Sequence, residues 1–131
     1  MKERRKEIDN RQNRIFCHER EVWWCSFGIN VGSEQNGGKD FFRPVVVIRV
    51  ISHRVFFGVA LTGKERRDKY HLYLGVINGN KSSAILSQVR IIDNKRLEGK
   101  ICTLDFELFE ELKSALQGTL FGVVPLTSIE G

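Results

Sequence analysis

The chain has 131 residues, of which 41% are hydrophobic and 28% charged, values that suit one folded domain and argue against wholesale disorder. It holds no run of about 18 uncharged apolar residues, which excludes a membrane-spanning helix, and its basic N-terminus lacks the apolar stretch of a secretory signal. Twenty-one Lys and Arg against 16 Asp and Glu give a net charge of +5, compatible with a polyanionic partner such as RNA without demanding one.

Residues 1–20 read as a basic N-terminal extension. They carry seven basic groups, from Lys2 to Arg20, against four acids. Such a segment is either a solvated tail or short surface helix, or an arm that touches nucleic acid. Cys17, Cys25 and Cys102 show no CxxC spacing, and His18, His53 and His71 are scattered. The cysteines therefore read as reduced thiols of a cytoplasmic protein, and no zinc site is expected.

Glu21–Phe27 is the first strand expected in the main domain, its Val22, Trp23, Trp24 and Phe27 suiting a pleated surface. Gly28–Arg43 concentrates glycine and asparagine and reads as a long loop of functional type. Pro44–Ile48, extending towards Ile51, is a β-branched apolar run and so a buried strand, with proline at its first position. Arg54–Leu61 is the next strand, followed by a polar, basic connection over Thr62–Lys69. His71–Ile77 alternates and meets Asn78-Gly79, a strong hairpin signal, so that Lys81–Asp93 returns beside it. Gly99–Leu104 is a further short strand. From Asp105, Leu108, Phe109, Leu112, Ala115 and Leu116 recur at helical spacing. Asp105 is placed as N-cap and Gly118 as the stop, leaving 118–131 as a tail. Short, closely spaced strands without alternating helices predict a mainly β fold, a small curled antiparallel sheet or barrel with one C-terminal helix.

Three blocks together resemble one family. Val22–Gln35 (VWWCSFGINVGSEQ), with Gly37-Gly38 and Arg43–Ile48 (RPVVVI), resembles the opening signature of the MazF/PemK toxins, the toxin halves of type II toxin–antitoxin pairs. Val59–Thr62 (VALT) is similar to that family's "PLTS" strand end, and Ile85–Asp93 with Arg96-Leu97 to its "LLxQxRTIDxxRL" block. The resemblance covers roughly residues 20–117, giving a domain at 21–117. It implies an SH3-like barrel of the CcdB/MazF toxin fold and a cytoplasmic, metal-independent endoribonuclease without cofactor. It also implies a homodimer that cuts single-stranded RNA at a short sequence and is blocked by a cognate antitoxin. In the family the RNA's own 2′-hydroxyl is the nucleophile, leaving a 2′,3′-cyclic phosphate and a 5′-hydroxyl. That route restricts cleavage to RNA.

Such chemistry needs the 2′-oxygen aligned, the phosphoryl charge stabilised and protons moved. Arg43 matches the family's Arg before Pro, and a guanidinium binds two phosphoryl oxygens while staying charged at any working pH. Thr62 matches the active-site threonine, but Gly63 replaces the usual serine, so one hydroxyl is missing. Ser33, Glu34 and Gln35 lie in the loop matching the family's substrate-contacting loop. Glu34 either accepts the 2′-hydroxyl proton or braces the loop by bonding backbone amides. Gln88 matches an RNA-contacting glutamine. Lys64, Arg66 and Arg67, with Lys69, form the basic loop that frames the RNA groove in the family, or else a solvated turn. Arg90, Asp93 and Arg96 read as structural. The Arg-x-Asp that some relatives place before the glutamine is absent, since Ile85 and Ser87 stand there, so no acid and base roles are carried over from it. Two other readings compete with the ribonuclease: a gyrase-type binding poison on the same fold, and a degenerate RNA-binding homologue that has lost cleavage.

Overall fold

The computed structural model describes residues 7–9, 14–27 and 42–122. Strands β1 (Glu7–Asp9) and β2 (Arg14–Phe16) form an antiparallel pair within the segment expected to be a tail or short helix. Six further strands follow: β3 (Glu21–Ser26), β4 (Phe42–Val50), β5 (Val55–Thr62), β6 (His71–Ile77), β7 (Asn80–Asp93) and β8 (Leu97–Thr103). They make one antiparallel sheet in the order β6-β7-β5-β4-β3-β8, and helix α1 (Phe106–Phe121) packs against it.

The sheet is a curled half-barrel. Fourteen-residue β7 makes the bend, pairing with β6 through residues 80–85 and with β5 through 83–93. Bulges at Val47/Arg49, Val59/Leu61 and Tyr73/Gly75 add local twist where strands must turn. The β6–β7 turn is the one expected: Asn78 at φ 55° and Gly79 at φ 81° are both left-handed, the conformation a two-residue hairpin demands.

Both faces of the sheet are covered, which is why Val45, Val46 and Val47 are all buried in succession. Val46 faces an inner core with Val22, Val59, Leu61 and the helix residues Phe109, Leu112 and Leu116. Val45 and Val47 face a second core with Cys17, Trp23, Cys25, Phe56, Ile92 and Leu97. Gly58 lies between these layers, where an added Cβ would come within 2.6 Å of a Val45 methyl, so only glycine fits.

The chain before Glu21 is tied to this second core. Ile15 and Cys17 pack there. Asn94, buried at the end of β7, donates to the Ile15 carbonyl at 2.8 Å. Arg20 takes a left-handed φ of 80°, and its amide and Nε donate to Val47 and Leu104 carbonyls at 2.9 and 3.1 Å. Those bonds hold a conformation that a non-glycine residue seldom adopts.

Two expectations need correction. Pro44 is the third residue of β4, not the first. It is tolerated because the ladder to β5 begins only at Val45, so a missing amide donor there breaks no pairing on that side. Gly118 lies inside α1; the helix stops at Gly122, which is left-handed at φ 59° and donates its amide to the Gly118 carbonyl at 2.9 Å. The glycine that ends a helix sits just past its last turn, and the earlier one is accepted at a modest cost in propensity. Asp105 is the N-cap residue, but its side chain makes no capping bond.

Candidate active site

At one end of the sheet, β4 and β5 bring the two chief sequence candidates to the same end of one ladder. Val45 pairs with Ala60, so Arg43 and Thr62 lie two residues beyond that pair on their respective strands. Arg43 shares a strand face with Val45 and sits across from Cys25 of β3. It lines a shallow pocket of about 180 Å³ with Phe27, Ala60, Gln88 and Arg90. Alternation along β7 sends Gln88, Arg90 and buried Ile92 to one face. Arg43 and Gln88, 45 positions apart in sequence, are thereby neighbours across the one intervening strand, β5.

The pocket's character is cationic. Two guanidiniums and one amide line it, with no carboxylate among the described residues. Arg90 stacks over the Phe27 ring at 5.0 Å, which orients a second guanidinium at the pocket. Sequence reasoning read Arg90 as structural; its even spacing from Gln88 along a strand is the signal that could have placed it here. Asp93 instead caps the short 3-10 turn Asn94–Arg96, accepting from the Lys95 amide at 2.8 Å. Arg96 reaches the Ser26 carbonyl at 3.1 Å. Cys25 beneath the site is no nucleophile: burial pushes its thiol up to about 12, and Cys17 beside it likewise. The His18–Glu21 and His71–Asp68 pairs do not line the pocket.

Thr62 is half-buried and lines a second pocket, with Gly63, Pro44 and Trp24. Pro44 follows Arg43 on β4, so the two pockets lie on either side of one strand end. The predicted site residues Ser33, Glu34 and Gln35 lie outside the described residues.

The basic loop leaves β5 directly after Thr62. Its fixing point is Ser83 of β7, which is fully buried and pairs with Thr62 across the ladder. The Ser83 hydroxyl donates to the Lys64 carbonyl at 2.6 Å and accepts from the Arg66 amide at 2.9 Å. Lys64 and Arg66 are thus anchored by their backbone while their side chains stay exposed. Arg67 pairs with Glu65 at 2.7 Å and lies over the Tyr73 ring at 4.7 Å. Replacing the serine would strand two loop backbone groups. Ser83→Ala is therefore expected to cost about 1–3 kcal/mol in urea unfolding. Unchanged stability would show that the bridge does not hold the loop.

Residues 18–120 match the sequence profile of the PemK-like, MazF-like toxins of type II toxin–antitoxin systems. The chain belongs to this family. A comparison with curated protein sequences finds no match. Solved structures share the fold of this PemK-like chain at low identity. An endoribonuclease in complex with its cognate antitoxin from Mycobacterial species is 12% identical, with a TM-score of 0.65 over 83% of this chain and 99% of that one. A MazE–MazF structure from Deinococcus radiodurans is 16% identical, TM-score 0.62, covering 83% and 98%. The Mycobacterium tuberculosis toxin MazF-mt6 is 14% identical, TM-score 0.59, covering 81% and 100%. Among the described residues no helix is long and apolar enough to cross a membrane.

Proposed function

We propose that this PemK-like toxin is a metal-independent endoribonuclease that cuts single-stranded RNA at a short sequence and so stops translation and growth. The observation that carries this reading is the meeting of Arg43, Gln88 and Arg90 in one cationic pocket at the strand end that also bears Thr62. Positive charge and a planar fork of donors suit a phosphodiester whose negative charge grows as the 2′-oxygen attacks. In this reading Arg43 binds the phosphoryl oxygens, Thr62 donates its hydroxyl to one of them, and Gln88 holds an RNA group beside the scissile bond. The 2′-oxygen forms the new bond to phosphorus as the 5′-oxygen departs and takes a proton from water to become the 5′-hydroxyl. Glu34 is the proposed acceptor of the 2′-hydroxyl proton, and Ser33 and Gln35 contact the RNA beside it. Lys64, Arg66 and Arg67 track the backbone by charge. The relatives solved with an antitoxin support a cognate antitoxin as partner, and a homodimer in the cytoplasm completes the proposal.

The test uses the substrate itself. A single 2′-deoxyribose at the mapped cut site is expected to abolish cleavage there, while leaving other sites intact. Cleavage that persists at the deoxy position would overturn the 2′-oxygen route.

Gly63 offers a second check. Its φ is not left-handed and an added Cβ would meet nothing within 4 Å. Gly63→Ser is expected to keep stability within about 0.5 kcal/mol. It is also expected to raise kcat by about tenfold or more, one charge-assisted hydrogen bond's worth. An unchanged kcat would mean that the missing hydroxyl has no part in this chain's chemistry.

A further inference from the structure

Trp24 is the one tryptophan of the pair that reaches solvent: it is 36% exposed, whereas Trp23 beside it is 2% exposed. An exposed indole at a strand position is unusual for a residue whose neighbours fill two cores. Trp24 lies across from Pro44 on one side and Gly99 on the other. Gly99 has no side chain, and an added Cβ there would meet nothing within 4 Å, so that flank of the strand is open.

The indole borders the pocket of about 150 Å³ that Thr62 and Gly63 also line. Its remaining polar edge comes from the β6–β7 hairpin: Asn78, Asn80 and Ser82. The hairpin presents both asparagines at the surface, and a carboxamide offers a donor pair and an acceptor together. A cavity of that volume is about what one benzene-sized ring occupies. One aromatic platform, a polar edge able to donate and accept, and the Thr62 hydroxyl at the pocket's rim are together the requirements for holding an unstacked base.

We infer that the Trp24 pocket is a base-specificity subsite, taking one unpaired pyrimidine next to the scissile phosphate, with Trp24 stacking on its face and Asn78 and Asn80 reading its edge. The inference rests on the ribonuclease reading for its place beside the cut, but the binding it describes is measurable without cleavage. Arg43 and the pocket sit on opposite sides of the β4 end, so the RNA passes over that end with its phosphate on one side and its base on the other. A single-ring base matches that volume more closely than a two-ring purine does.

The experiment titrates the full chain with oligouridylate and, separately, oligoadenylate, following tryptophan emission and oligonucleotide anisotropy. Trp23 is buried, so a stacking signal comes from Trp24, and Trp24→Phe is expected to remove the emission change while keeping most of the affinity. Trp24→Ala is expected to weaken oligouridylate binding about tenfold, within the span of one base stacked on one aromatic ring. Asn80→Ala, an exposed turn substitution that leaves the fold intact, is expected to narrow the preference for uridine over adenine several-fold. Emission unmoved by either oligonucleotide overturns the inference. So does uridine affinity unchanged in both alanine variants, or tighter binding of oligoadenylate. Uridine-dependent quenching without any RNA cleavage would keep the subsite and remove the ribonuclease reading instead.

Discussion

Arg43→Ala is expected to lower the rate of RNA cleavage by about 10²–10³, with the fold retained. That is the typical loss when one preorganised donor is removed from a developing negative charge. The charge on the phosphoryl group grows between ground state and transition state, so the loss belongs mainly in kcat rather than in KM. Arg43→Lys separates charge from geometry. A lysine keeps the positive charge but gives up the rigid fork, so it is expected to recover only part of the loss. Arg90 lines the same pocket, fixed over Phe27. If Arg43→Ala costs less than about tenfold, Arg90 carries the phosphoryl charge and the assignment of Arg43 is wrong. Single-turnover cleavage of one mapped site, with the melting temperature of each variant beside it, gives the answer.

The largest effect on stability is expected at Glu21. This carboxylate is buried at the start of β3 and collects three partners from three parts of the fold. It accepts from the Trp23 indole at 2.8 Å, from the His18 amide at 2.9 Å and from Lys100 of β8 at 3.2 Å. Burial alone pushes the Glu21 carboxyl up, but the bonds from Trp23, His18 and Lys100 outweigh it, and its pKa falls below its ordinary value. Glu21→Ala leaves a buried indole N–H and a backbone amide without their acceptor. The expected loss is about 2–4 kcal/mol, on the order of 10 °C in melting temperature for a chain of this size. The pH dependence has a definite sign. A carboxyl whose folded pKa is depressed stabilises the fold fully above its unfolded value, and that contribution disappears as pH falls through the folded pKa. Wild-type stability is therefore expected to decline below about pH 4.5, the ordinary value, and the Glu21→Gln variant to show a shallower decline. Equal acid slopes in the two proteins would show that another group governs acid unfolding.

Local signals were the legible part of this fold. Asn78-Gly79 marked its hairpin because a two-residue turn demands left-handed residues at those positions. The Pro44–Ile48 run marked a buried strand, and the helix followed from its apolar spacing. The position of Arg43, Thr62 and Gln88 was legible only through the family resemblance, since no period in the sequence joins β4 to β7. What stayed hidden depends on partners far along the chain. Ile15 and Cys17 look like a polar tail's stray apolar residues until Asn94, 79 positions away, is seen holding the Ile15 carbonyl. Ser83 looks like any strand serine until its buried hydroxyl meets the loop at Lys64 and Arg66. Trp24 and Trp23 are adjacent and chemically identical; strand alternation sends them to opposite faces, and only the packing of the fold shows which one is covered.

The most direct test of the central claim is incubation of the pure chain with a diverse pool of single-stranded RNA in excess EDTA, followed by analysis of the new ends. The ribonuclease account predicts cuts at a short recurring sequence, each leaving a 2′,3′-cyclic phosphate and a 5′-hydroxyl, and their loss in Arg43→Ala. An RNA pool left intact by the wild-type protein would contradict it, and the cationic pocket would then be a binding site without cleavage.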